Sequence, residues 1–477
     1  MMGRNARSFF WNLSENLATQ LIQFTIGIIM ARILMPADYG LVGILYVYIA
    51  ICTTVTNGGF SAALIQNTER NESDYSTVFF FNMGVSVALA LLLWTLSPLL
   101  ASFYGQPLLE GLTKVMALPI VINALNLVQR TRLTIQLDFK LLAKIGVVAA
   151  VVQGTTGVAM AYSGCGVWSI AWAQVAGAAT SCLLCWLWSG WRPQSRFSAP
   201  AFKRMFSYGS KLLTSSLIDT VWNNIYPLII GKFYPPASLG FFTRAHGYAA
   251  LPATTITDVV SRVTFPILSE MQAGRQQLHQ SYNQMLLLTA FFMFPLMVGI
   301  ATLADPLIRL MLTDKWVGCV PYLQILCLAM MLYPVHALNL TLLKVTGRSD
   351  LFLRLELWKK GLGIIVLAAT LPLGVKAMCW GMLLLSVVSL LFNTHYTGKF
   401  LQLGIFAQIK FCLPIAGIAA LSAACAYGTT RLATELWLQL LGGAMAGAIA
   451  YCLFSRLLTP SAFKTVVETV RNRRSAA

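Results

Sequence analysis

Three rows of polar side chains interrupt otherwise apolar stretches of the sequence at helical spacing. The first comprises Asn12, Asn16, Thr19, Gln20 and Gln23, with Glu15 at its margin. The second is Lys211, Ser215, Asp219 and Asn223, and the third Arg244, Tyr248, Thr255, Asp258 and Arg262. Steps of mostly three, four or seven residues set each row along one face of a helix. An ionised side chain at the centre of a bilayer costs about 2.5–3.5 kcal/mol even on the lenient insertion scale. Such faces therefore turn away from lipid. They line a wet cavity, or they pair with neighbouring helices, as Ser, Thr, Asn and Gln commonly do. Arg244 is the most informative member, because it falls on the side of the membrane that basic residues otherwise avoid. Arg130, Arg132, Lys211 and Arg262 lie near helix ends, where fixing topology is an equally good reason for a basic residue. Glu15, Asp219 and Asp258 are the acids placed inside spans, with Glu356 at an end. They bind a coupling cation or pair with the basic groups.

Bond-making chemistry finds little support. His336, with Asn339 on the same helix, offers the intramembrane base that a membrane acyltransferase needs, but a lone histidine is more often a hydrogen-bonded core residue. Neither Gly231-Lys232 nor Gly398-Lys399 continues with Ser or Thr, so the phosphate loop of an ATPase is missing. H-E-x-x-H and zinc-spaced cysteine pairs are absent too. The ten cysteines are scattered through apolar stretches, and Cys182-x-x-Cys185 has no histidine or acid beside it. They read as buried thiols. No catalytic residue, metal site or cofactor is expected.

The elements that carry the rows are membrane spans. With 57% hydrophobic and 10% charged residues and a mean hydropathy of +0.70, the 477-residue chain is an all-α polytopic integral membrane protein by composition. Apolar runs of about 20 residues predict fourteen spans, the first near 12–34, the seventh and eighth near 207–231 and 241–262, the last near 436–457. Sorting every Lys and Arg to alternate sides puts 26 of the 34 with the N-terminus and 8 opposite. Both termini are then cytoplasmic. The net charge of +18 reflects basic residues scattered between spans, not a nucleic-acid-binding face. Arg4 and Arg7 precede a long apolar run without a small-residue cleavage site, which predicts a retained first helix and not a signal peptide. Pro227, Pro252, Pro295, Pro334 and Pro414 fall within spans and predict kinks.

The chain also repeats itself. Arg32-Ile-Leu-Met-Pro-Ala-Asp-Tyr-Gly-Leu41 returns as Lys232-Phe-Tyr-Pro-Pro-Ala-Ser-Leu-Gly-Phe241. Upstream, Asn16, Thr19, Gln20 and Gln23 lie opposite Ser216, Asp219, Thr220 and Asn223. Downstream, after a slip of one residue, Thr53-Thr54-Val55-Thr56-Asn57 meets Thr254-Thr255-Ile256-Thr257-Asp258. This is the signature of a duplicated unit. It predicts two pseudo-symmetric six-helix lobes, 1–200 and 201–398, followed by helices 13 and 14 and a basic cytoplasmic tail over 399–477. The polar stretch from Trp191 to Tyr208, with Pro193, Pro200 and several basic residues, joins the lobes.

Four segments together resemble the polysaccharide transporters: Ala31-Arg-Ile-Leu-Met-Pro-Ala-Asp-Tyr-Gly40, Gly59-Phe-Ser-Ala-Ala-Leu-Ile-Gln66, Arg262-Val-Thr-Phe-Pro-Ile-Leu-Ser269 and Asp314-Lys-Trp-Val-Gly-Cys-Val-Pro-Tyr-Leu-Gln324. More narrowly they look like Wzx-type flippases, a group that includes the colanic acid exporter, within the superfamily that also holds multidrug extruders and lipid II flippases. The resemblance implies a bacterial inner-membrane protein with two lobes around a central cavity. It would move an undecaprenyl-pyrophosphate-linked oligosaccharide to the periplasmic leaflet, beside the glycosyltransferases and polymerase of a surface-polysaccharide pathway. The family has no strict motif to carry over, so the candidate residues come from the polar rows. Arg244, Arg262, Lys211, Arg130, Arg132, Asn223 and Gln23 are expected to wall a cationic cavity. Glu15, Asp219 and Asp258 are expected to pair charges or to couple transport to H+, Na+ or the membrane potential. The alternatives are a multidrug/cation antiporter, a lipid II flippase, which the additional helices 13 and 14 keep open, and, more remotely, a membrane acyl- or glycosyltransferase.

Overall fold

The computed structural model describes residues 2–271, 274–466 and 468, with side chains from residue 18 onward except at 275 and 349. Among the described residues every regular element is helical. Two compact units are present, residues 1–240 and 241–477.

The first unit holds α1 (Met2–Ile33), α2 (Pro36–Asn57), α3 (Phe60–Gln66), α4 (Glu72–Tyr104), α5 (Leu108–Met116), α6 (Leu118–Ile135), α7 (Phe139–Tyr162), α8 (Trp168–Trp188), α9 (Ala199–Asn223) and α10 (Ile225–Phe233). α11 (Pro236–Glu270) begins in it and runs on into the second unit, which continues with α12 (Arg275–Thr302), α13 (Ala304–Leu312), α14 (Val320–Met331), α15 (Tyr333–Val345), α16 (Ser349–Thr370), α17 (Val375–Leu401), α18 (Ile405–Leu432) and α19 (Leu436–Leu458). α9 and α10, which open the second copy of the repeat, thus pack with the first unit, against α2, α3 and α4.

Among the described residues, ten stretches are long and apolar enough to cross a membrane. They coincide with predicted spans 2 to 6, 9, 10 and 12 to 14. The other four predicted spans are also helical: α1, of which 18–33 forms a shorter apolar helix, α9 with α10, α11, and α16. Polar side chains lower their hydropathy: the three rows in the first three cases, and Arg354, Glu356, Lys359 and Lys360 in α16. The prolines divide into two groups. Pro252, Pro295 and Pro414 sit inside α11, α12 and α18. Pro227 and Pro334 instead fall in the first turn of a new helix, α10 and α15, where the missing N–H leaves no hydrogen bond unmade.

The repeated motif crosses itself within the first unit. A Cβ added to Gly40 would lie 1.8 Å from the carbonyl oxygen of Pro236, and one added to Gly240 would lie 1.9 Å from that of Pro36. Each copy's glycine therefore receives the other copy's backbone, and no side chain fits at either position. α2 starts on Pro36, with the Asp38 carboxylate accepting from the Met35 N–H at 2.9 Å. It ends at Gly58, in the left-handed region at φ 50°.

The segment joining α8 to α9 is fastened to the start of α4. Trp191, 2% exposed, donates its indole N–H to Glu72 and packs on Tyr75 and Phe79. The Ser195 N–H donates to Ser76 Oγ at 3.2 Å and the Ser198 N–H to Thr77 Oγ1 at 3.0 Å. Just beyond, Arg204 pairs at 2.6 Å with Asp74, a fully buried carboxylate that also accepts from the Asn71 N–H at 3.1 Å to close the N-terminal cap of α4. Burying a carboxylate is tolerable here because its oxygens are taken up by a guanidinium and a cap donor.

In the second unit α12 packs against α14 and α18, α18 against α19, and α16 against α17. Asn339, 1% exposed, bonds Thr397 at 2.6 Å and Gln408 at 3.0 and 3.2 Å, and Gln408 reaches Tyr282 at 3.4 Å. This buried network ties α12, α15, α17 and α18 together with mutually satisfied amides and hydroxyls.

Candidate functional site

A pocket of about 650 Å³ opens in the first unit, lined by Thr53, Thr54 and Asn57 of α2, Ser61 of α3, Asn123, Asn126, Arg130, Thr131 and Thr134 of α6, and Ser216 of α9, with a few apolar residues between them. Asn123, Asn126, Arg130 and Thr134 follow one another by three, four and four residues, so α6 presents them along one face. Asn126 and Arg130 share a partner: Asn126 Nδ2 lies 3.4 Å and Arg130 Nη1 3.2 Å from Ser181 Oγ on α8. Thr131 donates to Ser61 Oγ at 3.3 Å, and Thr54 and Thr220 join α2 to α9 through their hydroxyls at 3.0 Å.

The turn between α2 and α3 allows this closure. Gly59 has φ 73°, and a Cβ there would meet the Gly209 carbonyl oxygen of α9 at 2.6 Å. Only glycine supplies both the left-handed backbone and the close approach.

Arg130 belongs to this pocket, but Arg132 does not. Two residues on, and about 200° further round the helix, its guanidinium stacks 5.6 Å above the Tyr75 ring. Lys211, Asp219, Asn223 and Gln23 are exposed and are not among the lining residues. The side chain of Glu15, like those of Asn12 and Asn16, lies outside the described residues. The third row keeps its single face. Phe242, Ala245, Ala249, Ala253, Thr257, Thr264 and Leu268 form the buried side of α11, and Arg244, Tyr248, Thr255, Asp258 and Arg262 occupy the side opposite. Arg244 and Tyr248 are half-buried, whereas Thr255, Asp258 and Arg262 are exposed.

Sequence reasoning missed most of the pocket. The row on α6 was legible by the same spacing that revealed the other three. The contribution of α2 and α3 was not, since it depends on the glycine turn bringing both against α9.

His336 has both ring nitrogens occupied. Nε2 lies 3.2 Å from Ser386 Oγ, whose own proton goes to the Ala329 carbonyl at 2.8 Å, and Asn393 Nδ2 lies 3.2 Å from Nδ1. One nitrogen donates and the other accepts, the pattern of a neutral core imidazole. Among the described residues no cluster of His, Cys, Asp and Glu could hold a metal.

Residues 29–321 match the family described as polysaccharide biosynthesis protein. The chain is 26% identical over 408 residues to the teichuronic acid biosynthesis protein TuaB of Bacillus subtilis, covering 83% of this chain and 84% of that one. It is 23% identical over 377 residues to the lipopolysaccharide biosynthesis protein WzxC of Escherichia coli, covering 77% and 75%. Among solved structures it resembles the inward closed conformation of the lipid II flippase MurJ, with a TM-score of 0.76 at 15% identity over 94% of this chain and 99% of that one. An inward-facing multidrug resistance MATE family transporter follows the same fold with a TM-score of 0.62 at 16% identity, over 82% and 99%. The chain therefore belongs to the polysaccharide biosynthesis protein family, as a multi-pass membrane protein with the helical fold of the multidrug/oligosaccharidyl-lipid/polysaccharide exporter superfamily.

Proposed function

We propose that this protein is a flippase that carries an undecaprenyl-pyrophosphate-linked oligosaccharide from the cytoplasmic to the periplasmic leaflet of a bacterial inner membrane, to supply surface-polysaccharide assembly. The observation that carries this reading is Arg130. Its guanidinium lines a pocket walled by hydroxyls and amides, and no carboxylate among the described residues pairs with it. A cation in that setting calls for an anionic guest. The planar fork suits phosphate oxygens bidentately, and the surrounding Asn, Ser and Thr side chains offer the mixed donors and acceptors that sugar hydroxyls require.

Unaided crossing is closed to such a head group, because the Born cost of even one charge is about 20 kcal/mol. The polyprenyl chain needs no such shelter and stays in lipid. Transport proceeds by alternating access about a fixed site, with Arg244, Arg262 and Lys211 as further cations, and Asn223 as a neutral donor, available to the anion along its path. Asp219 and Asp258 balance that charge or take up H+ or Na+. An inside-negative potential drives the anion outward with about 2.3 kcal/mol per charge per 100 mV. The bias of basic residues supports cytoplasmic termini, and the cargo places glycosyltransferases and a polymerase in the same pathway.

The test is translocation by purified protein in vesicles, read as protection of a fluorescent undecaprenyl-pyrophosphate oligosaccharide from an impermeant quencher. Arg130→Gln is expected to slow it by about thirtyfold, the equivalent of about 2 kcal/mol, while Lys464→Gln on the exposed C-terminal segment leaves it unchanged. A wild-type rate no higher than that of empty vesicles, or an Arg130→Gln rate equal to wild type, overturns the proposal. Equal translocation of lipid II would favour the lipid II flippase in its place.

A further inference from the structure

A second cavity, of about 680 Å³, lies between α4 and the segment that joins α8 to α9. α4 contributes Phe80, Phe81, Gly84 and Val85, and the joining segment contributes Ser195, Arg196 and Phe197. Its character differs from that of the Arg130 pocket. Apart from Ser195 the lining is apolar or aromatic, Phe80 and Phe197 are exposed at 44% and 49%, and the single charge is the exposed guanidinium of Arg196. Exposed phenylalanines along a span face acyl chains, and a lone arginine at a span's end sits at head-group level.

The groove is also preformed. One of its walls is held against α4 by the Trp191–Glu72, Ser195–Ser76 and Ser198–Thr77 hydrogen bonds. At Gly84 a Cβ would meet nothing within 4 Å, so the trough is open there. We propose that this groove is a binding site for an anionic glycerophospholipid, with its phosphate at Arg196 and one acyl chain along Phe80 and Phe81 across Gly84. Charge complementarity selects an anionic head, since among the described residues no acid lines the groove and Arg192 and Lys203 stand nearby in sequence, both exposed. The small polar share of the lining selects a resident lipid over the saccharide-bearing cargo, which needs the amides and hydroxyls gathered around Arg130.

Native mass spectrometry of the full-length protein, titrated with phosphatidylglycerol or phosphatidylcholine of identical chains, tests this assignment. Wild type is expected to retain one phosphatidylglycerol under conditions that strip phosphatidylcholine. Arg196→Gln should weaken that adduct by about fivefold. Gly84→Trp, which fills the trough from a position free of neighbours, should abolish it while the protein stays monodisperse. Equal retention of the two lipids by wild type, or survival of the adduct in both variants, overturns the site. Displacement of phosphatidylglycerol by undecaprenyl phosphate at equal concentration would reassign the groove to the cargo's tail and overturn the resident-lipid assignment. The measurement reads no transport, so its failure leaves the Arg130 pocket untouched.

Discussion

Thr53-Thr54-Val55-Thr56-Asn57 on α2 and Thr254-Thr255-Ile256-Thr257-Asp258 on α11 are matched stretches of one repeat, and the fold treats them alike up to a point. Thr56 and Thr257 are buried, at 3% and 8% exposure, while the flanking positions stay open. Thr54 and Thr255 each donate back to the carbonyl four residues earlier, both at 2.8 Å. The difference lies in what stands opposite. α2 stops at Gly58 and its open face meets α3, α6 and α9 to enclose the Arg130 pocket. α11 runs on to Glu270, and around Thr257 its flanking Thr254, Thr255 and Asp258 are exposed. The stretch that closes a pocket ends in a neutral amide, Asn57, and the stretch that stays open ends in a carboxylate, Asp258. The two matched stretches thus differ in setting: one lines a pocket with neutral side chains, and the other leaves a carboxylate exposed.

Exchanging the two terminal residues probes that division most directly. Asn57→Asp puts a carboxylate on the wall that Arg130 shares, where it neutralises the guanidinium and repels a pyrophosphate. Transport in the vesicle assay should fall by about a hundredfold, or about 3 kcal/mol, and a rate near wild type would show that the pocket does not meet the charged group. The reverse exchange, Asp258→Asn, should leave downhill translocation intact and remove its acceleration by an imposed proton or sodium gradient, an effect of about tenfold. Unchanged gradient dependence would remove Asp258 from coupling. The smallest contrast concerns the paired threonines. Thr54→Val loses the bond to Thr220 and should lower the thermal midpoint by a few degrees, about 1 kcal/mol, whereas Thr255→Val, which loses a bond to the Leu251 carbonyl of its own helix, should change it less. Equal shifts would mean that the α2–α9 tie contributes nothing.

The duplication, the helical spans and the rows on α9 and α11 were legible because spacing and apolarity are local properties of the chain. Four of the predicted spans, α1, α9 with α10, α11 and α16, are helical but less apolar than the rest, because their polar side chains need a partner other than lipid. Arg130 and Arg132 could not be told apart in the sequence, since both sit at one helix end, and only the turn of α6 sends one to the pocket and the other to Tyr75. The joining segment, with its prolines and basic residues, reads as a plain connection. Its fastening depends on Glu72, Ser76 and Thr77, more than a hundred residues earlier and on a helix whose first turn happens to offer acceptors.

The crossing at Gly40 and Gly240 binds the history of the two copies together. A substitution at either glycine strikes main chain contributed by the other, so neither half of the gene can relax that position alone, however long ago the halves parted. Asn57 and Asp258 stand under no such mutual hold, and they were at liberty to become different residues.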